Sequence, residues 1–118
     1  QFFGEIMNIS SENRDNIWIL SISGVIDASN SARFEEAFTT FAAQPARGII
    51  LDLHNLTYMS SAGIREIIKA KRVLDSKQMF LAFCSLQPFL QEVFDLAGLS
   101  ERLSIYQDID PAVSAHQT

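Results

Sequence analysis

The 118-residue chain has one cysteine, two histidines, three prolines and five glycines, and each shortage removes a class of function. A single sulfur, Cys84, closes no disulfide within the chain and builds no thiolate metal site. It lies in the strand-like run Met79–Cys84, where a small buried hydrophobe is its expected role, consistent with a reducing, cytoplasmic compartment. No apolar run approaches the ~20 residues of a membrane-spanning helix. Basic residues number nine against fourteen acidic ones, for a net charge of −5. Binding nucleic-acid phosphates needs a clustered basic surface, so that partner is not expected. Lys69, Lys71 and Arg72 do lie together, but Glu66 and Asp75 share their segment, which reads as a solvated helix face. There is no internal repeat, linker or low-complexity stretch. The chain begins at Gln1, which leaves a leader or a preceding domain open.

What is present is enough apolar residue, 47% of the chain, for one continuous core. Residues 1–118 are the size of one ordinary domain, with a tail from about residue 110 that adds a short helix or frays. Phe2 to Ile9 reads as a strand, Asn13–Asn16 as a polar turn, and Ile17 to Ile22 as a second strand pairing antiparallel with the first. Trp18, Leu20 and Ile22 share one face of that strand and Ile17 and Ile19 the other, before Ser23-Gly24 breaks the run. Ser29-Asn30-Ser31 offers caps for a first helix with Phe34, Ala37, Phe38 and Phe41 at helical spacing. Gly48–Leu53 is a buried third strand. A helix from Ser61 buries Ile64, Ile67, Ile68 and Leu74 and turns Arg65, Glu66, Lys69 and Arg72 outward. Phe80–Cys84 is a fourth strand. Pro88 opens a third helix, Phe89–Ala97, which Gly98 caps with Leu99 folding back. Leu103–Tyr106 is a short last strand. Helices between the strands from the second onward imply parallel pairing there. The expected fold is α/β, a mixed sheet of four to five strands with an initial hairpin and three to four helices.

The most informative stretch is Tyr58-Met59-Ser60-Ser61-Ala62-Gly63, two hydroxyls and a glycine where strand passes into helix. The first turn of a helix leaves backbone N–H groups without partners and carries partial positive charge, so an anion is favoured there. Ser61 and Arg65 are four apart on one helical face. A phosphoryl group on Ser61 adds about −1.5 to −2 charge, which the helix terminus and Arg65 could hold without refolding. The bland alternative is that Ser60 caps the helix and Ser61 is a spectator; the local chemistry leaves both open.

Catalysis is the weaker reading. A nucleophile elbow needs glycine two before and two after its serine, and here only Gly63 matches while Met59 fills the other position. A base would have to be His54, at the end of strand three, or His116 in the tail. One glycine makes no phosphate-cradling loop. Asp52 and His54 lack a third metal ligand, and Asp52 is expected to accept backbone hydrogen bonds at its strand end.

The run Gly48–Leu53 followed by Leu56–Arg65 resembles the core of the STAS domain, a family that includes the bacterial anti-sigma-factor antagonists. Gly24-Val25-Ile26-Asp27 resembles that family's second-strand exit, and Val93–Leu99 with Leu103–Tyr106 its last helix and strand. The resemblance runs in order over nearly the whole chain and implies the STAS fold and a regulatory role in partner switching. The antagonist binds an anti-sigma factor that is also a serine kinase; phosphorylation breaks the complex and a serine phosphatase restores it. The chain is then a substrate and ligand, not an enzyme, and needs no cofactor or metal. The phosphorylated serine maps to Ser61, while the aspartate before it is Ser60 here, a departure. The implied docking surface is Asp27, Ser29, Ser60, Ala62, Gly63, Arg65, Lys69 and Arg72, with Gly63 letting the partner's backbone approach. The second reading within the family is an assembly or sensory module of a larger signalling protein or a transporter tail. A serine hydrolase comes third.

Overall fold

The computed structural model describes residues 7–117. A hairpin opens the fold: β1 (Met7–Arg14) and β2 (Ile17–Ile26) pair antiparallel, with Arg14 opposite Ile17. Only Asp15 and Asn16 lie between, at φ 55° and 64°, a two-residue turn whose left-handed backbone suits Asp and Asn. The expected Phe2–Ile9 strand lies largely outside the described residues. Its described end continues to Arg14, so the turn is narrower than the polar cluster Asn13–Asn16 suggested.

Ser23-Gly24 does not end β2. Gly24 adopts φ 92° and the register with the neighbouring strand shifts there, so the strand bends at a bulge and continues to Ile26. That bend makes room for a strand absent from the expectation. β3 (Gly48–Asp52) pairs in parallel with the first half of β2, and after a turn at His54-Asn55, β4 (Leu56–Met59) pairs in parallel with the second half. Asn55 O accepts the Gly24 amide at 3.0 Å, and Thr57 Oγ1 donates to Gly24 O at 2.9 Å. With β5 (Phe80–Cys84) and β6 (Ser104–Tyr106) the sheet has, among the described residues, six strands in the order β1-β2-β3-β5-β6, β4 lying on β2 off that path. This is one strand more than the four to five expected, and all pairings after the hairpin are parallel.

Alternation along the strands builds two cores. Leu20, Ile22, Ile49, Leu51 and Phe83 point to one face, which α1 (Ser31–Ala42), α2 (Ser61–Ser76) and α3 (Pro88–Leu96) cover. Phe34 and Phe38 come from α1 and Ile67, Ala70 and Leu74 from α2; Phe94 of α3 meets Phe83 edge-on at 5.5 Å. Ile64 and Ile68, expected in the buried stripe of α2, are only half-buried; Ala62, Gly63 and Ala70 take the inner positions because small residues let the helix lie close. Ile17, Ile19, Ile50, Ala82 and Cys84 point to the other face, under α4 (Ile109–Ala115). The tail after Asp110 is therefore a helix docked by Ala112 and Val113, with His116 stacked on Phe80 at 3.7 Å. Gly98, at φ 74°, ends the third helix as expected, and the Leu99 amide returns to Phe94 O at 2.9 Å.

Cys84 is fully buried, and burial, with the Asp52 charge adding to it, pushes its thiol up to about 11. The thiolate is the reactive form. Ellman's reagent at pH 8 is expected to modify Cys84 only in denaturant; rapid modification of the native protein would contradict its placement.

Candidate functional site

Parallel strands that run the same way deliver their helices to the same sheet edge. β2 leads through Asp27–Asn30 into α1, and β4 leads through Ser60 into α2. The two connections are joined directly: Ile26 pairs with Met59 in the sheet, and the Ser60 amide donates to Ile26 O at 2.9 Å. Asp27 and the start of α2 thus sit side by side, although Asp27 and Ser60 are 33 positions apart in the chain. The strand that hands over to α2 is β4, not the third strand, because the His54-Asn55 turn divides the apolar run from the serine pair.

At the start of α2 the two serines divide their roles. Ser60 is the N-cap: its Oγ accepts the Ala62 amide at 3.2 Å and its carbonyl the Ile64 amide at 3.1 Å. Ser61, the first helical residue, is exposed, and among the described residues its hydroxyl makes no hydrogen bond. Arg65, one turn on, is also exposed and makes no ion pair among the described residues. A free hydroxyl, the positive end of a helix and an uncommitted guanidinium therefore lie on one surface.

Asp27 and Ser29 form a small polar turn beside it. Asp27 Oδ1 accepts the Ser29 amide at 2.9 Å and the Ser29 hydroxyl at 2.5 Å. These bonds, the hydroxyl's first, hold the Asp27 carboxyl below the usual carboxylate range. Asn30 is the anchor of this turn. Its carboxamide is buried, accepting the Asp27 amide at 2.9 Å and donating to Val25 O at 3.0 Å, and it makes no capping bond to α1. Sequence reading took Asn30 only as a cap candidate, since an inward return of the side chain leaves no mark in spacing. Asn30→Ala strands a buried amide and a carbonyl and is expected to lower the unfolding free energy by about 1–3 kcal/mol, read by urea denaturation. Wild-type stability would contradict the anchoring role.

Other residues expected on the surface are placed differently. Ala62 and Gly63 are buried. A Cβ on Gly63 would lie 2.6 Å from Met59 Cγ and 2.9 Å from Ile26 Cγ2. The glycine's missing side chain is filled from within, where α2 crosses β2 and β4, so it offers no approach to a partner's backbone. Lys69 is exposed but committed, 2.6 Å from Glu35 and 3.4 Å from Glu66; the bond to Glu35 is the main cause of its raised pKa. Arg72 is exposed two turns beyond Arg65, at the rim of a cleft toward the end of α3. Tyr58, on β4 three residues before Ser61, is 50% exposed, and sequence reading passed over it.

His116 stacks on Phe80, and its Nε2 lies 3.3 Å from Tyr106 Oη. It belongs with α4, on the sheet face opposite α2, so it is no base for Ser61. His54 is exposed in the turn before β4. Asp52 binds locally as expected, accepting the His54 amide and the Ser21 hydroxyl, each at 3.1 Å.

A model of the STAS domain family matches residues 8–112. The chain belongs to the STAS domain family. Among its curated relatives is a Bordetella bronchiseptica protein named "Putative anti-sigma factor antagonist BtrV", 28% identical over 112 residues, covering 95% of this chain and 97% of the relative. An anti-sigma factor antagonist from Mycobacterium paratuberculosis superposes with a TM-score of 0.88 at 20% identity, covering 96% of each chain. The antagonist SpoIIAA has been solved unphosphorylated and phosphorylated. The two forms match this STAS domain with TM-scores of 0.78 and 0.72 at 17% identity, covering 94% and 93% of it and 98% of SpoIIAA. At these identities the structural matches establish the fold. The mixed sheet, the antiparallel opening hairpin and the four helices among the described residues are those of that fold. Among the described residues no helix is long and apolar enough to cross a membrane.

Proposed function

We propose that this STAS domain is an anti-sigma-factor antagonist whose binding to an anti-sigma factor with serine-kinase activity is ended by phosphorylation of Ser61. The observation that carries the reading is the division of labour at the start of α2: Ser60 caps the helix, so the Ser61 hydroxyl is exposed with no structural task. The names of the relatives and the existence of SpoIIAA in two phosphorylation states support it. The docking surface comprises Ser61, Tyr58, Arg65 and the Asp27–Ser29 turn, with Arg72 at its far end; Tyr58 serves as its aromatic anchor. Ser60, Ala62 and Gly63 shape that surface from beneath rather than contact the partner, and Lys69 acts through its pairing with Glu35.

The replacement of an acidic neighbour by Ser60 fits the switch. Serine caps as well as aspartate and brings no negative charge beside a phosphate. The domain acts as ligand and substrate in the cytoplasm, and a serine phosphatase resets it. Incubation with a cognate kinase-type anti-sigma factor and ATP, followed by intact-mass measurement, is expected to add one phosphate to the wild type and none to Ser61→Ala. Phosphate retained in Ser61→Ala would overturn the assignment.

A further inference from the structure

We propose a small-molecule site on this domain, for a neutral amide or lactam with an apolar body. In an open α/β sheet, ligands settle outside the carboxyl ends of parallel strands, where neighbouring strands send their helices to opposite faces. β5 and β6 pair in parallel and part in this way. β5 leads into α3, whose Leu90 and Phe94 join the core on one face; β6 leads into α4, whose Ala112 and Val113 join the core on the other. α1 and α2, which follow β2 and β4, lie on the same face as α3, so among the described residues the divergence occurs only between β5 and β6. A cleft of about 320 Å³ opens there, lined by Ser85, Leu86, Gln91, Ile105, Tyr106 and Gln107. That volume falls within the usual range for small-molecule sites.

Gln107 is exposed and the other lining residues are half-buried, so each has surface left for a ligand. Leu86 and Ile105 rest on the main core and present apolar walls. Ser85 clasps the two diverging segments: its amide donates to Tyr106 O at 3.1 Å and its hydroxyl to Gln107 O at 3.2 Å. It does so at φ 61°, a left-handed backbone uncommon for serine. With its proton spent on Gln107, the Ser85 hydroxyl has only acceptor capacity to offer. Gln91 donates Nε2 to Asp95 Oδ1 at 3.0 Å and to Ser100 Oγ at 3.2 Å, which leaves its Oε1 as an acceptor. The Gln107 carboxamide makes no hydrogen bond among the described residues, and the Tyr106 hydroxyl is engaged with His116 Nε2 at 3.3 Å. Among the described residues no charged side chain lines the cleft. This lining suits an uncharged ligand: an apolar body against Leu86 and Ile105, an N–H for Gln91 Oε1 or Ser85 Oγ, and a carbonyl for the Gln107 amide. With each heavy atom taken as comparable to a water's ~30 Å³ share of liquid, roughly ten fill the space. No residue of the cleft belongs to the docking surface around Ser61, so its test needs neither partner nor phosphate.

The test is an NMR titration of the whole chain with caprolactam, reading methyl and side-chain amide signals. Two controls accompany it: N-methylcaprolactam, which lacks the N–H, and 6-aminohexanoate, the charged ring-opened form. Saturable shifts confined to the Leu86 and Ile105 methyls and the Gln91 and Gln107 amides are expected for caprolactam, with half-saturation at about 1 mM. N-methylcaprolactam is expected to bind at least fivefold more weakly and 6-aminohexanoate not at all. Gln107→Ala changes an exposed side chain, and Ser85→Gly suits the left-handed backbone, so both variants keep the fold. A loss of threefold or more in either supports the site. Undiminished binding in both would overturn it. So would the absence of saturable shifts, shifts spread over the whole surface, or equal binding of either control.

Discussion

Ser61→Asp is expected to weaken binding to the anti-sigma factor ten- to a hundredfold, about 1.4–2.8 kcal/mol, while Ser61→Ala stays within a factor of about three. The argument rests on where the charge lands. The Ser61 hydroxyl is exposed beside Arg65, on the surface proposed to dock. A partner complementary to a neutral hydroxyl must strip water from a carboxylate placed there, and an imperfectly paired charge costs several kcal/mol to bury. The same charge is harmless to the fold. At the first position of a helix an aspartate interacts favourably with the macrodipole, by about 0.3–1 kcal/mol. Ser61→Asp should therefore unfold no more easily than the wild type even as it loses its partner. Calorimetric titration alongside urea denaturation separates the two effects. Equal affinity of the Asp and Ala variants would show that the serine is no switch, and a destabilised Asp variant would show that its surroundings are not those of an open helix start.

Gly48→Val is expected to have the largest effect on stability. Gly48 is paired with Phe80 across β3 and β5, and a Cβ there would stand 2.3 Å from Phe80 Cδ2 and 2.5 Å from Phe80 O. The ring is pinned by its stacking on His116 and the carbonyl belongs to the neighbouring strand, so neither can yield cheaply. Overpacking of this kind costs about 3 kcal/mol, a large part of the 5–15 kcal/mol that holds a domain together. The melting temperature should fall by on the order of 10 °C. Gly98→Ala provides the contrast. Gly98 has φ 74°, and a Cβ added to it would meet nothing within 4 Å, so alanine there suffers only backbone strain, about 1–2 kcal/mol. Thermal denaturation of both variants should rank Gly48→Val well below Gly98→Ala; the reverse order would contradict the packing described for β3.

The features legible in the sequence were those written in periodicity and in local turn chemistry. The two faces of β2, the aromatic stripe of α1, the proline that opens α3 and the glycine that ends it all stand where their spacing placed them. β4 escaped because Leu56–Met59 is too short to show a period and becomes a strand only by pairing with β2 beyond the Gly24 bulge. That bulge was read as a break because a glycine in a strand run signals either event equally well. At the site, the exposed Ser61 and its neighbour Arg65 followed from helical spacing. What spacing could not show was direction. Asn30 turns inward to hold the Asp27 turn, Gly63 is filled by Met59 and Ile26, and Lys69 is claimed by Glu35 from another helix. Each depends on a tertiary contact between segments distant in the chain or on a side chain's choice between two faces.

The most direct test of the account compares one partner's affinity for the domain before and after stoichiometric phosphorylation, with amide NMR spectra recorded on both forms. The prediction is a loss of at least a hundredfold in affinity, with shift changes confined to the first turn of α2 and the adjoining Asp27–Asn30 turn. Unchanged affinity, or a loss accompanied by changes throughout the sheet, would contradict a switch that works by charge alone.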